Sequence, residues 1–251
     1  MLSEVQLRTM LKIISRNPAD LLLSEKCRQF LCADRWEAAG KHLEIFSDGG
    51  QGVMPGTVAH NRRELETIGF GSTRRTQRLL NPLSGLDPVY GNAGNLKVLS
   101  IGPRTEMELL HLVGLGFQLN NITAVDLISS SPLIDLGDMH ALPYPDRSFN
   151  VVISSWVLNY SNRPQLAVDE MVRVCANQGL IAIGLTYDPT YGGNYINETP
   201  AEATAIIGSM HRSVDDLARL IGPKLDRICF QQDPVADQVK GPVMLIARIR
   251  H

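Results

Sequence analysis

The spacing of hydrophobic and polar positions changes near residue 95. Before it, apolar residues recur at intervals of three and four, which indicates one helical face, at Leu7, Met10, Leu11 and Ile14. Ser3 is placed to cap this helix and Asn17-Pro18 to end it. A second apolar series predicts a further helix, through Trp36, Ala39, Leu43 and Phe46. Many glycines and prolines in residues 53–95 predict loops around one or two short helices. Residues 1–95 are therefore expected to be a helical extension.

From Leu96 onward, short apolar runs alternate with helical segments. The predicted strands are Lys97–Ile101, Ile122–Leu127, Phe149–Ser154, Leu180–Leu185, Arg227–Phe230 and Val243–Ile249. Helices are predicted at Glu106–Val113, Pro164–Cys175 and Val214–Ile221, with a capping box from Thr105 to Glu108 and a Ser213 cap. This alternation indicates a doubly wound α/β sheet, mostly parallel and covered on both faces. The short connection 231–242 suits an antiparallel C-terminal hairpin.

Composition narrows the class of protein. The chain has 251 residues, of which 44% are hydrophobic and 20% charged, so it is globular and long enough for two regions, 1–95 and 96–251. Its net charge of −2 leaves no basic surplus for nucleic acid. No run approaches the roughly 20 apolar residues of a membrane span, and the N-terminus lacks the apolar core of a signal peptide. The four cysteines lack zinc-site or disulfide spacing, so a cytoplasmic, metal-free chain with reduced thiols is expected.

Candidate ligand-binding residues follow three of the predicted strands. In open α/β sheets, ligands bind beyond the carboxyl ends of the strands, where the strand order reverses. The run Gly102–Glu106 follows the first strand, where glycine admits a ligand to the backbone and a helix N-terminus favours an anionic group. Asp126 ends the second strand, and its carboxylate can accept both hydroxyls of a ribose. The third run is Gly137–His140.

Residues 137–160, GDMHALPYPDRSFNVVISSWVLNY, resemble the central segment of class I S-adenosylmethionine-dependent methyltransferases, especially their small-molecule branch. The family pattern there is approximately Gly-Asp-(Ala/Met)-x-x-Leu-Pro-(Phe/Tyr)-x-Asp-x-Ser-Phe-Asp. Residues 163–184 resemble the helix and strand that follow in the family. The resemblance covers residues 97–186, reaches the closing hairpin loosely and does not cover 1–95. It implies a Rossmann-like sheet of seven strands, with S-adenosylmethionine as cofactor and S-adenosylhomocysteine as product.

The resemblance also implies a set of cofactor contacts. Asp126 would hold the ribose hydroxyls, Asp138 would accept from the adenine amino group, and the Met139 backbone would read the ring. Gly102 would pass under the methionine part, and Ser155 with Trp156 would lie beside the cofactor. The full set implied is Gly102, Pro103, Arg104, Glu106, Asp126, Leu127, Asp138, Met139, Ser155 and Trp156.

The first motif departs from the family pattern Val-Leu-Asp-x-Gly-x-Gly-x-Gly. Residues 98–106 read VLSIGPRTE, so Ser100 replaces the acidic residue and two glycines become Arg104 and Glu106. In one interpretation, Arg104 binds the methionine carboxylate through its forked donors and Glu106 binds the ammonium. In the other, the pocket is blocked and the chain is a non-catalytic relative. The intact Asp126 favours the first interpretation, in which Glu108 only caps its helix and complements the helix dipole.

The acceptor site is expected outside the sheet. Tyr187, Tyr191 and Tyr195 stand in a glycine-containing loop and would form an aromatic wall, unless the loop is an ordinary surface loop. Arg74 and Arg75 would bind a phosphate or carboxylate on the substrate, unless they only form a solvated helix face. A hydroxyl acceptor profits from a general base. The candidates for that base are His60, His140 and His211.

The sequence thus predicts methyl transfer to the oxygen or nitrogen of a small molecule, for example a sugar or a secondary-metabolite intermediate. The alternative is a methyltransferase-like binding or partner protein without catalysis. A nicotinamide-dependent oxidoreductase is disfavoured because the chain has no Gly-x-Gly-x-x-Gly motif. A homo-oligomer formed through the N-terminal region is a further expectation.

Overall fold

The structure is a computed structural model. It describes residues 3–46, 53, 56–68, 74–188, 211–235 and 240–251, with the backbone alone at 66–68. The helices in these ranges are α1 (Glu4–Ile14), α2 (Glu25–Ala38), α3 (Thr57–Ile68), α4 (Arg74–Ser84), α5 (Met107–Gly114), α6 (Pro164–Val174) and α7 (Val214–Ile221). The strands are β1 (Glu44–Ile45), β2 (Val98–Ile101), β3 (Ile122–Asp126), β4 (Ile128–Ser129), β5 (Asp135–Leu136), β6 (Phe149–Ser155), β7 (Cys175–Tyr187), β8 (Leu225–Gln232) and β9 (Gly241–Ile249).

The main sheet has seven strands in the order β5-β3-β2-β6-β7-β9-β8. The first five run parallel, and β9 is antiparallel to both of its neighbours. This confirms the predicted doubly wound, mostly parallel sheet with an antiparallel C-terminal hairpin. The seventh strand is β5, whose two residues are too short to produce a visible alternation of apolar positions. The chain winds outward from β2 to β5 and then returns to β6, so the strand order reverses beside β2.

Alternating side chains of the strands build a core on each face of the sheet. Leu99 and Val152 face α6 and α7, whereas Val98 and Val151 face α4. On α4, three leucines are fully buried, namely Leu79, Leu80 and Leu83. Burial of one such side chain contributes about 1.5–3 kcal/mol, so α4 covers the sheet as firmly as a helix of the predicted second region. The boundary at residue 95 stays a prediction. Helix α4 precedes this boundary in the chain but packs on the sheet formed by the residues that follow it.

The N-terminal part of the chain is attached through α5. Arg28 of α2 is fully buried, and its guanidinium donates to the carbonyl oxygens of Leu22 and Leu23, at 2.5 and 3.1 Å. That turn lies against Gly114, where an added Cβ would come within 2.9 Å of the same backbone. A side chain at residue 114 would therefore push the two segments apart.

Two local predictions are wrong, and a third is confirmed. The second helix does not reach Phe46: α2 ends at Ala38, Gly40 and Lys41 adopt positive φ angles, and β1 pairs with β4. The capping box from Thr105 to Glu108 does not form, because α5 begins at Met107 with Glu106 as its N-cap residue and no side-chain cap. The α7 cap is present, since Ser213 Oγ accepts from the Asp216 N–H at 3.3 Å. Within the described ranges, no helix is long and apolar enough to cross a membrane.

Candidate active site

A cavity of about 340 Å³ opens at the carboxyl ends of β2, β3 and β6. Seen across the sheet edge, Asp138 follows β5, Asp126 ends β3, Gly102 follows β2 and Ser155 ends β6. The volume is that of a small-ligand site. The structure therefore brings together most of the cofactor-binding residues predicted from the sequence. These are Gly102, Pro103, Arg104, Asp126, Leu127, Asp138, Met139, Ser155 and Trp156.

The loop after β2 keeps a glycine-type backbone in spite of its changed sequence. Gly102 has φ +67°, and a Cβ added there would lie 2.4 Å from Cγ2 of Val157. Arg104 has φ +58°, a conformation that glycine adopts more easily, and its N–H donates to Asp126 Oδ2 at 2.7 Å. The motif's second glycine is therefore replaced without losing the turn that brings the backbone to the cavity.

Asp126 is a buried carboxylate that lines the cavity. Its side chain accepts from the N–H groups of Arg104 and Ile128, at 2.7 and 3.4 Å. Burial raises its pKa, and the hydrogen bonds from these backbone groups together with the Arg104 charge oppose that rise. Because a carboxylate has about four lone-pair directions, Asp126 retains acceptor capacity for two further donors.

Asp138 is held in place by two buried polar residues. Its Oδ1 accepts from His140 at both the N–H (3.0 Å) and Nδ1 (2.6 Å). On its other side, His140 Nε2 lies 2.7 Å from the hydroxyl oxygen of Ser161. His140 does not line the cavity, so the prediction of a general base at this residue is replaced by a role in orienting Asp138.

Trp156 and Arg75 form the wall beside the end of β6. Trp156 is buried, has φ +60°, and donates from Nε1 to Thr186 Oγ1 at 2.8 Å. The guanidinium carbon of Arg75 lies 6.0 Å from the centre of the tryptophan ring, within the range of a cation–π contact. Strained backbone at Trp156 and Arg104 thus coincides with the cavity, as is common at functional sites.

Helix α3 of the N-terminal part closes another side of the cavity. Thr57, Asn61 and Glu64 all line it. Asn61 Oδ1 accepts from Arg104 Nη2 at 3.0 Å, and Glu64 Oε2 lies 3.7 Å from Arg104 Nη1. These residues were not predicted from the sequence, although their spacing of four and three residues places them on one polar face of a helix.

Two glutamates near the start of α5 differ from their predicted positions relative to the cavity. Glu106 does not line the cavity: its carboxylate accepts from Arg35 of α2 and from the Ser131 hydroxyl. Glu108 is buried, lines the cavity, and accepts from the Ser100 hydroxyl at 2.7 Å. Glu106 therefore leaves the set of proposed cofactor contacts, and Glu108 is not a helix cap.

The predicted acceptor residues have mixed outcomes. Arg75 lines the cavity and the exposed Arg74 does not. Tyr187 is buried in the core instead, and Tyr191 and Tyr195 lie outside the described residues.

The remaining histidine candidates also lie outside the lining. His60 stacks on Tyr160, which does line the cavity, with ring centres 5.9 Å apart. His211 is buried, Nε2 has no partner among the described residues, and desolvation lowers its pKa. Among the described residues that line the cavity there is no histidine.

Comparison with known proteins agrees with this geometry. Residues 99–183 match the model of a family described as a methyltransferase domain. A demethylmenaquinone methyltransferase of Renibacterium salmoninarum is 32% identical over 136 residues, which are 51% of this chain and 54% of that protein. The chain thus spans about half the length of the curated relative that it matches.

Solved structures share the fold at low sequence identity. The [4+2]-cyclase SpnF has a TM-score of 0.53 and 14% identity over 80% of this chain and 98% of its own. A protein of Galdieria sulphuraria, assigned as a sarcosine dimethylglycine methyltransferase, has a TM-score of 0.54 and 12% identity over 76% and 98%. Residues 99–183 of this chain are therefore similar to a methyltransferase domain, and the two solved structures share its fold.

Proposed function

We propose that this chain transfers a methyl group from S-adenosylmethionine to a small molecule bound between the sheet edge and helices α3 and α4. One observation carries the proposal: a single cavity contains a glycine turn with no room for a Cβ and, beside it, a buried carboxylate with free acceptor capacity. Asp138 follows on the same line, two strands from Gly102. This order suits a ligand with a methionine moiety, a ribose and a base.

The residues at the cavity fit that cofactor part by part. Asp126 would accept from the ribose hydroxyls, Asp138 would accept from the adenine amino group, and Arg104 would bind the methionine carboxylate. When bound, S-adenosylmethionine supplies a methyl group that its sulfonium already activates. The protein has then to align the acceptor and exclude water, which the closure of the cavity by α3 supports.

The acceptor would lie toward Trp156, Tyr160 and Arg75. Two aromatic rings and a cation line this side, which suits a flat ring that carries an oxygen or another electron-rich group. The relative from Renibacterium salmoninarum is named as a demethylmenaquinone methyltransferase. Phenol- and quinol-type rings therefore enter the first panel of acceptors, together with amines and sugars.

The proposal is tested in two steps, because the same fold occurs in a [4+2]-cyclase. Isothermal titration calorimetry with S-adenosylhomocysteine should give one site with a dissociation constant in the micromolar range. Transfer of tritiated methyl from S-adenosylmethionine to the acceptor panel should then identify an acceptor class. Absence of binding at millimolar S-adenosylhomocysteine would reject the proposal, and binding without transfer to any acceptor would favour the non-catalytic alternative.

Arg104→Ala is expected to weaken S-adenosylhomocysteine binding by about tenfold, because a charge-assisted contact with the methionine carboxylate is lost. 5′-Methylthioadenosine lacks that carboxylate, so its affinity should stay the same. Arg63→Ala, which removes an exposed arginine from α3, is the matched control and should change neither affinity. An unchanged affinity for S-adenosylhomocysteine in Arg104→Ala would remove Arg104 from the site.

Location and assembly are proposed on other grounds. All four cysteines are free, which suits the reducing cytoplasm.

Helix α1 has no buried residue, and its apolar positions Leu7, Met10 and Leu11 are exposed, so we keep the prediction of a homo-oligomer formed through this region. Light scattering coupled to size-exclusion chromatography would determine it: a Leu11→Glu variant should reduce the mass to that of one chain.

A further inference from the structure

We infer that the Glu108 carboxylate binds the ammonium group of the cofactor's methionine moiety and takes over a charge that the family pattern carries at the position of Ser100. The inference rests on the proposed function. Glu108 takes the place of Glu106 in this contact, because Glu106 is held by Arg35 and Ser131.

The position of Glu108 supports a ligand contact. It is the second residue of α5, is 4% exposed, and lines the cavity beside Gly102. Among the described residues, the Ser100 hydroxyl is the group that meets hydrogen-bond geometry with its carboxylate, at Oε1. Ser155 lies on the same side, with its hydroxyl buried and without a partner of hydrogen-bond geometry. With about four lone-pair directions, the Glu108 carboxylate therefore retains acceptor capacity for a donor in the cavity.

Structural roles do not account for this carboxylate. It does not cap α5, because the helix has no side-chain cap. It forms no ion pair among the described residues, whereas Glu106 is paired with Arg35, and Arg104 with Glu64. A buried carboxylate without a cation destabilises the fold. A cationic group on the ligand would relieve that cost, so the arrangement favours binding of a positive charge over stability of the free protein.

The protonation of Glu108 gives the inference a measurable signature. Desolvation raises its pKa to about 7, the two serines oppose this rise, and the charge of Asp126 adds to it. The other charged or titratable groups around the cavity are Asp138, Arg104, Glu64, Arg75 and Tyr160. At pH 6, most of the free protein therefore holds a proton on Glu108. An incoming ammonium group stabilises the ionised form, so binding should release this proton.

The experiment compares S-adenosylhomocysteine with 5′-methylthioadenosine, which lacks the ammonium group. Calorimetric titrations at pH 6–8, each in two buffers of different ionisation enthalpy, give the affinity and the number of protons released. For the wild type, S-adenosylhomocysteine should bind about tenfold more tightly at pH 8 than at pH 6, with nearly one proton released at pH 6. 5′-Methylthioadenosine should show neither effect.

Glu108→Gln keeps the shape and the hydrogen bond to Ser100 but removes the charge. It should bind S-adenosylhomocysteine about 10- to 100-fold more weakly at pH 8, without proton release, and 5′-methylthioadenosine normally. Its melting temperature at pH 8 should equal or exceed that of the wild type, because a desolvated charge is gone. A merely structural glutamate would give a lower melting temperature, so this readout separates the two roles.

Two further variants sharpen the comparison. Glu106→Gln changes a glutamate on the same turn that is held by Arg35 outside the cavity, so ligand affinity and proton release should remain those of the wild type. The exchange Ser100→Asp with Glu108→Ser moves the carboxylate to the strand, as in the family pattern. This double variant should bind S-adenosylhomocysteine with at least a tenth of the wild-type affinity.

The outcomes separate this inference from the proposed function. If the wild type binds S-adenosylhomocysteine and Glu108→Gln matches it in affinity and proton release, the inference is wrong and the function stands. A loss of methyl transfer in Glu108→Gln at unchanged affinity would also overturn it, in favour of a general base. If the wild type binds S-adenosylhomocysteine at no concentration up to millimolar, the proposed function itself fails.

Discussion

Replacing Asp126 with asparagine is expected to weaken S-adenosylhomocysteine binding by about 100-fold. The buried carboxylate can accept from both ribose hydroxyls while it also accepts from the Arg104 N–H. An amide has one acceptor oxygen, so at least one of these hydrogen bonds is lost and an NH₂ group faces a donor. Hydrogen bonds to a charged group contribute about 1.5–3 kcal/mol each, and 1.4 kcal/mol is a factor of ten in affinity.

The ligand comparison assigns the loss to the ribose. Asp126→Asn should weaken 5′-methylthioadenosine as strongly as S-adenosylhomocysteine, because both contain the ribose. Arg104→Ala and Glu108→Gln should weaken only the latter. Asp135→Asn, on the exposed edge of β5, is the matched control and should leave both affinities unchanged. Wild-type affinity in Asp126→Asn would contradict the assignment of the ribose to this residue.

Stability should respond to Asp126→Asn in a pH-dependent way. Burial raises the pKa of Asp126 in the folded protein above its ordinary value of 3.8. The folded state therefore holds this proton more tightly than the unfolded state, and the carboxyl lowers the free energy of unfolding as pH rises above 3.8. The asparagine variant lacks that decrease. The melting temperature of the asparagine variant minus that of the wild type should therefore increase between pH 4 and pH 7. A second effect, which does not depend on pH, is the loss of the Arg104 contact, and it lowers the melting temperature of the variant at every pH.

The sheet could be predicted from the sequence because most of its strands are short apolar runs that alternate with helical segments. The central strands β2, β3 and β6 and the pair β8 and β9 were found in this way. Strand β5 was missed because it has two residues, and its pairing with β3 is set by tertiary packing. The helical extent of residues 39–46 was overestimated because apolar spacing continues past Gly40, whose positive φ ends the helix.

The candidate site was predictable where a residue ends or directly follows a strand, as Asp126 and Gly102 do. It was not predictable where a side chain's direction depends on the phase of a helix. Glu106 and Glu108 are two residues apart, and such positions point to nearly opposite sides of a helix. The predicted capping box starts the helix at the wrong residue, so the inward-facing Glu108 is predicted to cap the helix instead of lining the cavity. Tyr187 was misplaced for a similar reason, since its alternation on β7 directs it into the core.

Gly102→Ala is expected to lower the free energy of unfolding by about 2–5 kcal/mol and to reduce S-adenosylhomocysteine affinity by more than 100-fold. Positive φ costs a residue with a Cβ about 1–2 kcal/mol. The added methyl would lie 2.4 and 2.6 Å from the two γ-carbons of Val157, and relief of such overpacking typically costs about 1–3 kcal/mol more. Because Val157 lines the cavity, its displacement would narrow the space for the methionine part.

A glycine with the same backbone separates these two costs. Gly91 has φ +69° and nothing within 4 Å of an added Cβ, so Gly91→Ala should lose only the first 1–2 kcal/mol and no affinity. Val157→Ala removes both γ-carbons, so the double variant with Gly102→Ala should recover about 1–3 kcal/mol relative to additivity, and most of the affinity. Chemical denaturation and calorimetry measure the two quantities. If Gly102→Ala proved as mild as Gly91→Ala in both, the turn after β2 would not be the place where the ligand meets the backbone.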